Sequence, residues 1–260
     1  MQAVASTEAD VKVTKRAAGI GARHDYIGEP GRIDANPQAF LVVRPYAGAR
    51  IEPHFHDVDQ FQVVVAGDGR IGKKEVRPIT FQYADAYTPY GPIVGRDEGI
   101  SFFTLRNAAS GGHWSMPGNR HNMPCRAGRN IEGLFDVGTL VLKPKETRRE
   151  ELMAPQEDGV AAVGLRLGPS AEMDGLATDG NGQFYLVCAG SLIQDGKELP
   201  DQSVIRVDAG EPTPRFIAGS EGAEVLALQF GRPSDRPGSD PSKLATRDPD
   251  AYKQQERASS

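Results

Sequence analysis

The sequence predicts an all-β protein built from two tandem barrels with few or short helices, and three observations lead to this prediction. The chain repeats itself at a fixed offset. It is rich in glycine (30 residues) and proline (19 residues). It also contains about ten short, apolar or β-branched segments separated by turn residues. Such a composition suits many strands joined by tight turns better than it suits a helical bundle.

The internal repeat has an offset of 123 residues and needs no gap. Residues 60–67 (QFQVVVAG) return as residues 183–190 (QFYLVCAG). Further along the chain, Asp85 returns as Asp208 and Pro89 returns as Pro212. One register maintained over this length indicates two copies of one supersecondary unit. Each copy is therefore expected to form one barrel with equivalent strands.

The composition along the chain predicts where these units begin and end. We expect an N-terminal arm over 1–36, a first barrel over 37–107, a loop or linker over 108–130, a second barrel over 131–231 and a mobile tail over 232–260. The tail is rich in proline, serine, aspartate and arginine and offers little apolar surface to bury. The charged residues 146–153 suggest a short helix between the two barrels.

Charge and cysteine content limit the protein's class and partners. The net charge is −5 and the pI is about 5.6, so there is no basic surface for a nucleic acid. Residues 1–15 lack the apolar core of a signal peptide, and no apolar run approaches the roughly 18 residues that span a bilayer. Cys125 and Cys188 do not form a disulfide framework. We expect a cytoplasmic protein with a small-molecule ligand or substrate and no nucleic-acid or membrane partner, and a homodimer is the oligomer we consider.

The histidines are confined to the first copy of the repeat. His54 and His56 form an HxH pair, whereas the matched positions of the second copy hold Ala177 and Asp179. Alternate side chains of a strand share one face, so the two imidazoles should point the same way. Across the turn that follows, Gln60 can return opposite the pair. Two neutral imidazoles suit iron, zinc, nickel, copper or manganese, and the histidine-free second barrel should bind no metal.

These residues resemble the two sequence motifs of the cupin superfamily. The first motif is matched in its spacing by Gly48, His54, His56, Gln60 and Gly67. The second is matched by Pro89-Tyr90-Gly91, with Val94 where a metal-binding histidine is usual; the second copy has Pro212, Pro214 and Ile217 at these places. The chain also resembles bacterial cupin-domain proteins that share the segments DQFQ and YTPYGPI. The resemblance covers 38–107 and 160–231 and implies a bicupin, with two jelly-roll (double-stranded β-helix) barrels.

The resemblance also implies a single divalent transition metal in the first barrel. Its ligands would be His54, His56 and Gln60, with His113 or His121 as a third histidine. Iron is the first choice, zinc, manganese, nickel and copper are alternatives, and a degenerate site would hold none. Two tyrosines near the second motif, Tyr90 and Tyr87, are predicted to line the pocket as catalytic residues.

Two functions from different classes follow from this reading. The leading hypothesis is a metal-dependent cupin enzyme that acts on a small organic molecule, with a dioxygenase-type oxygenase preferred over an isomerase or lyase. The rival is a non-catalytic small-molecule-binding or structural bicupin with a degenerate metal site. The retained pair His54 and His56 favours the enzyme, and Val94 favours the rival.

Overall fold

A computed structural model describes residues 1–33, 36–138 and 141–244. The chain divides into two compact units. The first unit consists of Asp10–Glu132 and the C-terminal segment from Pro233 onward, and the second unit consists of Met1–Ala9 and Gly133–Arg232. Each unit contains one copy of the repeat, and each is completed by a terminal segment from the far end of the chain.

Strands dominate both units, as the sequence predicts. In chain order they are β1 (Gln2–Val4), β2 (Asp10–Arg16), β3 (Gly19–Ile27), β4 (Gln38–Arg44), β5 (Arg50–Ile51), β6 (His54–Phe55), β7 (Gln60–Ile71), β8 (Lys74–Val76), β9 (Thr80–Ala84), β10 (Ile93–Arg106), β11 (Trp114–Ser115), β12 (Asn130–Leu134), β13 (Thr147–Glu151), β14 (Ala161–Leu167), β15 (Glu172–Asp174), β16 (Gln183–Gln194), β17 (Lys197–Pro200), β18 (Val204–Val207) and β19 (Arg215–Gln229). The described helices are short: two 3-10 turns at Ser6–Glu8 and Arg120–Asn122, and α1 at Pro241–Leu244. Among the described residues, no helix has the length and apolar character needed to cross a membrane.

The first unit is built on one large antiparallel sheet and one small one. The large sheet has the order β12-β9-β7-β10-β4-β3-β2, with β5 beside β10 and β8 beside β7. The small sheet pairs β6 with β11. On the face that carries the first-barrel core, Val64, Ala84, Ile100 and Phe102 pack together. Gln60 and Gln62 alternate with Phe61 along β7, so they share this face with Val64.

The second unit repeats this arrangement around a more uniformly apolar core. Its sheet has the order β1-β18-β16-β19-β14-β13, with β15 beside β19 and β17 beside β16. Its core includes Tyr185, Val187, Ile205, Val225 and Ala227, all fully buried.

The register between equivalent strands confirms the repeat. Gln60 begins β7 and pairs with Arg106 of β10, and 123 residues later Gln183 begins β16 and pairs with Gln229 of β19. Gly67 and Gly190, also equivalent, both adopt positive φ (71° and 68°), where a β-carbon would collide with the carbonyl oxygen of Gly99 or Gly222. Strand order, register and turn conformation therefore recur together.

The terminal segments differ from the expected domain boundaries. Of the expected arm, 1–36, the described residues 1–33 contain three strands: β1 belongs to the second unit, and β2 and β3 extend the sheet of the first. The alternation of Val11 and Val13 with polar neighbours explains the strand. Of the expected tail, residues 233–244 pack on the first unit, where Leu244 contacts Val58. Residues 245–260 lie outside the described part of the chain.

Two internal segments also differ from expectation. The charged stretch 146–153 is not a helix, because Thr147–Glu151 forms the exposed edge strand β13 beside β14. Charged side chains are a common way to protect such an edge from further pairing. The expected linker, 108–130, contains β11, which pairs with β6 and so brings this loop to the histidines.

Candidate functional site

His54 and His56 lie on the same side of a short strand in the first unit. The backbone of His54 exchanges two hydrogen bonds with Tyr90 (3.1 and 3.0 Å), which fixes β6 against the second motif. Phe55, between the two histidines, points the other way and stacks on Trp114 with 5.4 Å between ring centroids. The two imidazole centroids are consequently only 5.2 Å apart. His54 is buried and His56 is half-buried.

Hydrogen bonds to backbone carbonyls set the tautomer of both rings. Nδ1 of His54 donates to the carbonyl of Glu52 (2.7 Å), and Nδ1 of His56 donates to that of Gly112 (2.6 Å). A carbonyl oxygen only accepts, so each Nδ1 carries the proton and each Nε2 keeps its lone pair. This is the arrangement found in histidines that bind metals through Nε2.

Burial keeps both rings neutral. It lowers the pKa of His54 to about 3, with a smaller contribution from His113, and it holds the pKa of His56 well below its usual range. A buried imidazolium would lose its hydration, so the charged form is disfavoured. Neutral imidazoles are the form that a transition metal requires.

His113 is the third histidine of the cluster. Its ring stacks on His54 with 4.0 Å between centroids and lies 5.6 Å from His56. His113 is exposed, and its partial burial lowers its pKa. His121, the other candidate, is exposed on the 3-10 turn Arg120–Asn122 and has no ring contact with this cluster among the described residues. The loop after β10 therefore contributes His113, not His121.

Gln60 lies beside this cluster, but both ends of its amide are occupied. Its Nε2 donates to the hydroxyl of Tyr90 (2.5 Å). Its Oε1 accepts from two nitrogens of Arg106, at 3.1 and 3.0 Å. The predicted role of Gln60 as a metal ligand needs this oxygen, which the guanidinium already holds. The structure instead gives Gln60 the role of linking Tyr90 to Arg106.

Arg106 is a site residue that the motif comparison did not identify. It is 7% exposed and lies opposite Gln60 in the β7–β10 ladder. Its positive charge contributes to the lowered pKa of His54, His56 and His113. The repeat contained a signal for it, because the equivalent position of the second copy holds the uncharged Gln229. At this position of the repeat, a buried cation in the first copy faces an uncharged amide in the second.

The two predicted catalytic tyrosines occupy different environments. Tyr90 is buried, and its ring lies 4.6 Å from that of His54. Burial raises its pKa to about 12, so it stays a neutral phenol. Tyr87 is half-buried and packs against Phe55, on the side of β6 that faces away from the histidines. Only Tyr90 therefore joins the cluster.

The donor set fits a metal ion in part. His54 and His56 offer two correctly protonated imidazoles, and the ring of His113 stacks on that of His54 with 4.0 Å between centroids. Within the part of the chain that the structure describes, no group of three or more His, Cys, Asp or Glu side chains is arranged to hold a metal. A metal would thus be held by His54 and His56 and would require a third ligand from His113, water or substrate.

Comparison with known proteins identifies the fold and not the activity. No protein-family model and no curated protein matches the sequence. Solved structures do match over most of both chains. A protein of Nostoc punctiforme provisionally described as a dioxygenase has a TM-score of 0.58 at 13% identity, covering 92% of this chain and 84% of its own. Oxalate decarboxylase of Bacillus subtilis, studied for its Mn(II) centres, has a TM-score of 0.52 at 12% identity, and the match covers 86% of this chain and 76% of the decarboxylase chain. Procruciferin, an 11S globulin of Brassica napus, has a TM-score of 0.53 at 10% identity, and the match covers 86% of this chain and 84% of the procruciferin chain.

The protein therefore has the all-β fold of the cupin superfamily, in its two-barrel, bicupin form. Identities of 10–13% are too low to transfer an activity. The neighbours include a decarboxylase studied for its Mn(II) centres, a vicilin of Corylus avellana and an 11S globulin. The function must accordingly be argued from the side chains of the first barrel.

Proposed function

We propose that the protein is a metal-dependent cupin enzyme that acts on a small organic molecule in its first barrel. The observation that supports this most directly is that His54 and His56 have the same protonation state. Each ring donates its Nδ1 proton to a backbone carbonyl and keeps the lone pair on Nε2. A bound divalent ion would supply Lewis-acid polarisation of a substrate oxygen and open positions for ligands. We prefer a dioxygenase-type oxygenase with iron, since open positions at a histidine-bound iron suit that chemistry.

The other residues of the cluster would bind and orient the substrate. Tyr90 keeps its proton at neutral pH and lies next to His54, so its hydroxyl can act as a hydrogen-bond donor. Arg106 adds a fixed positive charge, and Gln60 holds the two in one geometry. The ring of His113, which stacks on that of His54, would limit the access of water to this side of the cluster.

A second candidate function is a non-catalytic bicupin that binds a small molecule without metal. Two observations favour it. Arg106 donates to the oxygen of Gln60, and Val94, at the place of the missing histidine, is a half-buried residue paired with Arg50 in the sheet. A guanidinium beside the histidines also opposes a divalent cation electrostatically.

Metal content distinguishes these candidates. The protein would be purified without chelators or a metal-binding tag, and its metals measured by elemental analysis in the parent, His54→Ala and His56→Ala. The enzyme proposal predicts close to one equivalent in the parent and a loss of at least tenfold in both variants. His121→Ala, an exposed histidine outside the cluster, serves as the control and should keep its metal. A parent without metal, even after incubation with Fe(II), Mn(II) or Zn(II), would support the metal-free binder.

A further inference from the structure

We propose that the first barrel binds a small polyhydroxylated molecule, such as a polyol or sugar, through the side-chain amides of Gln62 and Gln82. This inference rests on the proposed function in taking the first barrel as the substrate site. It goes further in naming a group of residues beyond the histidine cluster and the chemical class that they select.

Gln62 and Gln82 occupy one rung of the sheet, next to the rung of Gln60 and Arg106. Gln62 on β7 pairs with Gln82 on β9 and with Thr104 on β10. All three are at most 5% exposed. Strand alternation places them on the same face as the core residues Val64, Ala84 and Phe102, which is also the face of Gln60. The rung therefore lies in the interior of the barrel.

Three buried polar atoms on this rung lack hydrogen bonds. Within the described part of the chain, Oε1 of Gln62 and both Oε1 and Nε2 of Gln82 have no partner. The large majority of buried side-chain polar atoms in native proteins have a hydrogen-bond partner. Three unpaired atoms on two adjacent side chains of one face thus point to a partner from outside the chain.

The second barrel shows that the fold does not require polar groups at this rung. At the 123-residue offset, Gln62, Gln82 and Thr104 correspond to Tyr185, Ile205 and Ala227. All three belong to the fully buried core of the second unit. The single hydroxyl among them, on Tyr185, is bonded to Gln183 and to the backbone of Leu176. In the second copy, packed side chains fill this rung and leave no hydroxyl unpaired. In the first copy, the equivalent rung contains amide atoms without partners.

The unpaired atoms define the chemistry of the ligand. Oε1 of Gln62 and Oε1 of Gln82 require donors, and Nε2 of Gln82 requires an acceptor. A hydroxyl group both donates and accepts, so a molecule with several adjacent hydroxyls can satisfy all three atoms. A hydrocarbon offers neither function, and an ionised carboxylate offers only acceptors. A polyol or sugar is consequently the class that fits this rung.

The test compares unpaired and paired polar groups at equivalent positions. Binding of erythritol, D-ribose and D-glucose to the metal-free, full-length protein would be measured by saturation-transfer NMR and calorimetry, with 1-propanol as the control. We expect saturable binding of at least one polyol. Gln62→Leu and Gln82→Leu should weaken this binding at least tenfold and leave the melting temperature unchanged or higher. Gln82→Ile, which copies the second barrel, provides a further variant if the leucine proteins fold poorly.

Tyr185→Phe is the matched control in the second barrel. It removes a bonded hydroxyl, so it should lower the melting temperature and leave polyol binding unchanged. The proposal is overturned if no polyol binds saturably to the parent, or if the leucine variants bind as well as the parent. It is also overturned if the leucine variants lose as much stability as Tyr185→Phe, because buried water alone would then account for the amides. Metal-free protein is used so that failure of the metal site and failure of this inference are separate results.

Discussion

Replacing Arg236 by alanine should destabilise the first unit because one buried carboxylate loses its positively charged partner. Nη2 of Arg236 lies 2.6 Å from Oδ2 of Asp59 and 3.3 Å from Oδ1 of Asp85. Asp85 keeps a second cation, since Arg129 contacts both of its oxygens. Asp59, by contrast, would retain the backbone N–H of Ala86 without an adjacent guanidinium. The substitution therefore removes electrostatic stabilisation mainly from the carboxylate of Asp59.

The magnitude follows from the burial of this pair. The side chain of Asp59 is 11% exposed and that of Arg236 is 25% exposed. Removing one partner of a buried ion pair costs about 3–5 kcal/mol, and the partial exposure of Arg236 favours the lower end, about 3 kcal/mol. At about 2–4 °C per kcal/mol for a domain of moderate size, the melting temperature should fall by about 6–12 °C at pH 7.

The loss should also depend on pH in a defined direction. Burial raises the pKa of Asp59 above its unfolded value, so the folded state binds this proton more tightly than the unfolded state does. Stability therefore decreases as pH rises through this range and recovers on acidification. Without Arg236 the pKa of Asp59 rises further, because a charge that lowers it is lost. The deficit of Arg236→Ala should be complete at neutral pH and smaller in mild acid.

The assay is thermal and denaturant unfolding of the parent and the variant at pH 7 and in mild acid. The double variant Arg236→Ala, Asp59→Asn removes the uncompensated charge and should recover part of the lost stability. Arg236→Lys keeps a charge and should lose less than Arg236→Ala. A melting temperature within about 2 °C of the parent at pH 7, or an equal deficit at both pH values, would refute the reasoning.

Two further predictions concern the backbone and the cluster. Gly67→Ala should lower the free energy of unfolding by at least about 2 kcal/mol. Gly72→Ala is also at positive φ, but no atom lies closer than 3.5 Å to its added β-carbon, so it should lower this free energy by about 1 kcal/mol. Both are measured by denaturant unfolding, and equal losses would contradict the collision with the carbonyl of Gly99. Tyr90→Phe leaves Nε2 of Gln60 without its acceptor and should cost about 1–3 kcal/mol, measured in the same way. No loss in Tyr90→Phe would indicate that the amide has another partner.

The fold could be predicted from the sequence because the repeat reports equivalence directly. The offset between Gln60 and Gln183 predicted that both begin equivalent strands, and the register confirms it. The HxH spacing likewise predicted that His54 and His56 share one side of a strand. The first inference depends on the similarity of two segments, and the second depends on the alternation of side chains along one strand. Both can be read from the sequence without knowing which strands are neighbours.

The partners of Gln60 could not be predicted in the same way. Its contact with Arg106 spans 46 residues and depends on which strands are neighbours in the sheet. The motif that includes Gln60 is local in sequence, so it contains no information on the residue across the sheet from Gln60. Comparing the two copies position by position would have revealed Arg106 against Gln229 and Gln82 against Ile205. Those differences between the copies were visible before the fold was known.

The N-terminal strands were missed for a different reason. The alternation of Val11 and Val13 with Lys12 is typical of a strand, but both valines are more than half exposed. A strand that buries so little is recognised mainly through its pairing partner, which here is β3. Local composition alone favoured an irregular arm.

The exchange of terminal segments between the two units has a consequence for biosynthesis. β1 pairs with β18, which is synthesised roughly 200 residues after it. The first unit in turn receives Arg236 only after the strands of the second unit have been synthesised. Although each unit has its own core, neither can reach its final form on an emerging chain before the other half has been translated. A gene divided between the two repeats would therefore encode two polypeptides that each lack a piece carried by the other.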